Sequence, residues 1–96
     1  MPADTGNTKK ALVAFAIESV LLEIGKPALE KVTKRLYEDY QCYLSDCYER
    51  PEILSMVLKD LYGKSYTTIV QSIRRELDDF AEQKPIMTFL KVISRQ

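Results

Sequence analysis

From Pro27 onward the apolar residues recur at steps of three and four, in runs opened by proline or a small polar residue and mostly stopped by glycine or proline. A string of short helices satisfies that spacing and a sheet does not. No segment alternates with period two, and no Asn-Gly or Asp-Gly hairpin turn occurs. The clearest run is Leu29, Val32, Thr33, Leu36, Tyr37 and Tyr40, with Glu30, Lys31, Lys34, Arg35, Glu38 and Asp39 on the opposite side. Pro27 fits the first helical position, where its missing N–H costs nothing.

The same reasoning places helices at about residues 8–24, 27–41, 51–62, 65–82 and 85–94, with residues 1–7 as a frayed tail. Asn7 or Thr8 is expected to cap the first helix and Ser65 the fourth. Gly25 and Gly63 are expected just past helix ends, where a left-handed residue is wanted. Asp46 and Glu49 offer a cap-like pair for one short turn between the second and third helices. Ninety-six residues suffice for one hydrophobic core, so residues 8–96 are expected to form a single all-α domain, a compact bundle of four to five helices.

The first helix departs from the amphipathic pattern. Leu12, Phe15, Ala16, Val20 and Ile24 trace one stripe, but Val13, Ala14, Ile17 and Leu21 fill the remaining faces, more than one core-facing side can bury. The last helix, with Ile86, Phe89, Leu90 and Ile93 at i, i+3, i+4 and i+7, is too short to persist alone and must dock. Leu12, Val13, Phe15, Ala16, Ile17 and Val20, together with Ile86, Phe89, Leu90 and Ile93, are therefore expected to line an interface with a partner, most simply a second copy in a homodimer.

Named chemistries are hard to place. The chain has no histidine to act as base or metal ligand, and its glycines stand isolated at 6, 25 and 63, so no phosphate loop is present. Cys42 and Cys47 read as free, partly buried thiols, since a zinc site would have to add carboxylates to two thiolates. The acidic pairs Glu38-Asp39 and Asp78-Asp79 read as solvated faces. Neither an enzyme nor a cofactor or metal is expected. The apolar run 11–17 is broken by Glu18 and Glu23, short of the roughly 18–20 residues that a bilayer span needs, and no cleavage site follows it; a cytosolic protein is expected.

Fourteen basic and fourteen acidic residues cancel, six of each before residue 41 and eight of each after, so no global field draws the chain to nucleic acid. An alternative reading takes the helices flanking Gly63 as a helix-turn-helix, with Lys64, Ser65, Thr67, Thr68, Gln71, Arg74 and Arg75 facing a major groove. The acids Asp60, Glu76, Asp78 and Asp79 erode that patch and leave the DNA reading second. The six tyrosines, clustered at helix ends and the central loop, are either amphipathic packing or a partner surface.

The order of elements also carries a resemblance. An Ala-Phe-x-x-x-x-Val-Leu-x-x-Ile-Gly element over Ala14–Gly25 precedes a charged helix ending in Tyr40. The run from Leu44 to Leu54 (LSDCYERPEIL) follows, then a helix closing on Leu61-Tyr62-Gly63. This resembles the Nitrosopumilus output domain family, small archaeal helical domains found alone or attached to sensory and regulatory proteins, over about residues 10–80. The resemblance implies a domain that relays a signal by contacting another macromolecule, and it brings no catalytic residues with it.

Overall fold

The structure, a computed structural model, describes residues 5–94, with side chains from Thr8 onward. Five α-helices follow one another: α1 (Thr5–Ile24), α2 (Lys26–Tyr40), α3 (Pro51–Tyr62), α4 (Tyr66–Glu76) and α5 (Lys84–Ile93). Short 3₁₀ turns at Leu44–Tyr48, Gly63–Ser65 and Asp78–Phe80 join them, and no strand occurs among the described residues.

Helix α1 begins earlier than its spacing predicts. Thr5–Asn7 are already helical, so Asn7 and Thr8 lie inside the helix rather than capping it, and residues 1–4 of the expected tail fall outside the described residues. At the other end Gly25 takes a positive φ of 153°, its N–H bonding Leu21 O at 3.0 Å while its own carbonyl receives Ala28 N–H at 3.0 Å. One residue thus closes α1 and starts α2.

Helix α2 ends on a non-glycine residue in the left-handed region. Gln41 has φ 52° and ψ 45°, its N–H bonds Tyr37 O at 2.9 Å, and Cys42 N–H reaches back to Leu36 O at 3.1 Å. The Gln41 bond is the five-to-one bond of an αL stop, to which Cys42 adds its own bond to Leu36, and both Cys42 and Leu36 are buried. The loop then folds around Asp46, whose Oδ2 accepts Tyr43 N–H at 3.0 Å, so the expected short turn forms, with Tyr43 as its opening residue.

Two further boundaries differ from expectation. Ser65 makes no capping bond; it belongs to the 3₁₀ turn opened by Gly63 (φ 54°), while Thr67 Oγ1 donates to Lys64 O at 3.1 Å. The helix expected over 65–82 is α-helical only to Glu76. Leu77 N–H divides between Ile73 O (3.1 Å) and Arg74 O (3.2 Å), and a 3₁₀ turn follows. Asp78 and Asp79 explain the stop, because carboxylates oppose the negative end of a helix dipole.

One core joins all five helices. Helix α1 supplies Val13, Ile17 and Leu21, α2 Val32 and Leu36, α3 Leu54 and Leu58, α4 Ile69 and Ile73, and α5 Ile86, Phe89 and Ile93. Helix α1 packs on α2, on the Leu44–Tyr48 turn and on α4, while α3 packs on α2 and α5. The Cα radius of gyration is 12.6 Å, matching the ~12.5 Å of a compact chain of this length.

Candidate interaction surfaces

The ten residues expected at a partner interface divide sharply. Val13, Ala16, Ile17, Val20, Ile86, Phe89, Leu90 and Ile93 are all buried by the chain's own helices, so they form core rather than contact surface. Leu12 is half-buried, and only Phe15, 63% exposed, faces outward. The correction follows from topology: α1 is covered by three elements at once, which absorb most of what one flat face could not.

What remains outside is nevertheless a seam. At 100° per residue, Ala11, Phe15 and Leu22 project within 40° of one line on α1, some 160° from Val13 at the core. Phe15 and Leu22 (47% exposed) are its large apolar members; exposed Glu18 projects into the seam between them, and Glu23 lies about 100° to one side. A second exposed apolar group lies where α2 meets its loop. The rings of Tyr37 and Tyr43 stand 5.5 Å apart and tilted by 36°, both more than half exposed, with Tyr40 one helical turn from Tyr37. The composition-level signal for this cluster was the crowding of tyrosines around residues 37–48; which two would meet depended on the backbone reversal at Gln41.

All seven residues of the alternative DNA-contacting surface are exposed. They occupy the Gly63–Ser65 turn and the outer side of α4, but not one continuous face. Thr67, Gln71 and Arg74 follow one flank, where the surface is recessed against α5; Thr68 and Arg75 stand about 80–100° around the helix from Thr67, Arg75 still bordering the recess at its far end, and Glu76 stands on the opposite shoulder. Arg74 Nη1 donates to Ser94 Oγ at 3.2 Å, which holds the guanidinium along the flank. Nearer the turn, Lys59 Nζ lies 5.2 Å above the ring of Tyr66.

The titratable groups inside the fold are structural in their placement. Cys42 and Cys47 are buried and both thiols donate to Tyr43 O, at 3.5 and 3.7 Å. Burial pushes both upward, Cys47 far beyond the ordinary thiol range, so each is held as the poorly nucleophilic thiol. No group of three or more metal-ligating side chains occurs among the described residues. The acids expected to be solvated are exposed, and Asp39 and Asp60 both pair with Arg35, a bridge from α2 to α3 that helical spacing alone does not reveal.

Tyr66 Oη, buried, donates to Ile93 O at the end of α5 and lies 3.4 Å from Ser55 Oγ, tying α3, α4 and α5 together. Among the described residues no helix is long and apolar enough to cross a membrane. Comparison with known proteins adds nothing to these surfaces, since no family model, curated protein or solved structure matches the chain.

Proposed function

We propose that this chain is a non-enzymatic, cytosolic interaction module, an output domain in the sense its family resemblance implies, that acts by pairing through α1. The observation that carries the proposal is the two-sided character of that helix: its inner side is spent on the core, yet Phe15 and Leu22 remain exposed on the far side. Large apolar side chains aligned on one exposed helical line mark contact surfaces more often than isolated ones do. The simplest occupant is a second copy, because a seam on a helix can meet its own twofold image.

The size of the seam sets the strength. The apolar seam runs only from Ala11 to Leu22, about 17 Å of helix, with a stripe about 10 Å wide, so it offers about 170 Å² per copy. A stable complex buries about 800 Å² per partner. Self-association is accordingly weak and regulated by local concentration, as suits a module tethered to or recruited by a larger assembly. Sedimentation equilibrium into the high micromolar range tests this: a concentration-dependent rise in mass that Phe15→Glu abolishes is expected. A clean monomer throughout counts against it.

The DNA reading has the full exposure of its seven residues in its favour. Against it stand exposed Glu76, at the C-terminal end of the same helix, and exposed Asp78 and Asp79 in the turn that follows, where a duplex laid across α4 would bring phosphates. Anisotropy titration with random duplex at low salt separates the readings.

A further inference from the structure

The flank of α4 carries a second surface, independent of α1. Three recesses run along it and share residues end to end. The first lies at the α3–α4 turn, lined by Lys59, Lys64 and Thr67; the second is bounded by Thr67, Gln71 and Arg74; the third continues from Gln71 and Arg74 to Arg75 and Asp78. Val70 and Leu90 contribute its apolar wall. The result is one open groove, cationic at both ends and uncharged in the middle.

Its charge is uncompensated. Among the described residues no carboxylate pairs with Lys59, Lys64, Arg74 or Arg75, and Asp60, beside Lys59 in sequence, is engaged by Arg35. Asp78 is the sole acid of the lining among the described residues and lies at its far end. Glu76 stands half a turn around the helix from Thr67, on the other shoulder. A chain poor in net charge, at +0, therefore concentrates positive charge on one narrow line.

We infer that this groove seats an extended acidic peptide segment of a protein partner, with two carboxylates engaging Lys64 and Arg74. The spacing fits. The ten residue steps from Lys64 to Arg74, two of them through the 3₁₀ turn, span about 16 Å, which about five extended residues cover at about 3.3 Å each. Nucleic acid fits less well on two counts. A duplex is wide enough to meet the acidic shoulder as well as the basic flank, and single strands bind by stacking on exposed rings, whereas the groove's only aromatic side chain, Tyr66, is 3% exposed.

The test is fluorescence anisotropy at low salt with fluorescein-labelled hexaglutamate, hexalysine, and 12-nucleotide single-stranded and duplex DNA as probes. Hexaglutamate is expected to bind the full chain. The affinity should fall at least about tenfold in Lys64→Ala/Arg74→Ala and stay unchanged in Lys31→Ala/Lys34→Ala, which removes the same charge from the exposed side of α2. Circular dichroism and the urea midpoint establish that each variant folds; should the double variant fail to fold, Lys64→Glu alone is used with the same expectation. Absence of hexaglutamate binding, equal loss in the α2 variant, or tighter binding of either DNA probe overturns the inference.

Discussion

Two tyrosines on either side of the α3–α4 turn should respond to loss of their hydroxyls with opposite signs. Tyr66 Oη donates to Ile93 O and neighbours Ser55 Oγ, both inside the bundle, so Tyr66→Phe strands a carbonyl and a hydroxyl away from water. Leaving buried partners unmet costs about 1–3 kcal/mol. The Lys59 ammonium above the ring survives in phenylalanine and should not contribute. Tyr62 Oη is itself buried with no hydrogen-bond partner among the described residues, and burial raises its pKa, so Tyr62→Phe removes an unmet group and should stabilise by up to about 1 kcal/mol. For a domain of this length each kcal/mol moves Tm by about 4–8 °C. Urea denaturation reads both changes directly, as midpoint shifts at constant m-value. Equal signs, or a Tyr66→Phe loss below about 0.3 kcal/mol, would refute the assignment of the Tyr66 hydroxyl as the tie between α4 and α5.

Along α1, Ile17→Ala should cost about 2–5 kcal/mol because it opens a cavity in the core, whereas Phe15→Ala should stay within about 0.5 kcal/mol of wild type while weakening self-association. Urea midpoints and sedimentation measured on the same samples separate the two effects. Stability should decline above pH ~8.5, where an unfolded thiol ionises but buried Cys47 keeps its proton. The folded state then binds more protons than the unfolded one, and the slope is about −1.4 kcal/mol per pH unit for this thiol alone. Urea titrations at pH 7.5 and 10 check it, and Cys47→Ala should flatten the difference. Gln41→Gly should raise stability by about 0.5 kcal/mol, the relief of a left-handed residue less the added freedom of the unfolded chain, while Gln41→Val should lower it.

How far the sequence reveals this architecture depends on whether a feature is local. Pro27 and Pro51 near helix starts and Gly25 and Gly63 near helix ends are local grammar, and the helices lie within a few residues of where that grammar puts them. The end of α2 at residue 41 is legible in the lost period, but its left-handed geometry is not, because a polar residue in that region leaves no compositional mark. The break after Glu76 was hidden because Leu77 and Phe80 continue an apolar period that the paired aspartates interrupt. The partner surface was misread for a different reason. Spacing shows that α1 is apolar on nearly every side, but which side the other helices cover is decided by tertiary packing, which leaves Phe15 and Leu22 out and takes Val13 and Ile17 in. For α4 the exposed residues were legible, whereas their division into a basic flank and a mixed shoulder appears only once α5 packs alongside.

The two surfaces also constrain each other. Helix α1 touches α4 within the core, and its Phe15 seam projects about 160° away from Val13, so a partner on the seam leaves the α4 groove uncovered. Coupling between the sites would have to pass through the buried aliphatic packing of the bundle, and such packing changes only when an element has two arrangements. Binding at one surface should therefore leave affinity at the other unchanged, and a hexaglutamate titration of Phe15→Glu should match wild type at low and high protein concentration alike. A shift beyond about threefold, roughly 0.7 kcal/mol of coupling, would mean that pairing through α1 rearranges α4. By reciprocity the acidic ligand would then alter self-association by the same factor, and the module would be a switch rather than a scaffold with two independent contacts.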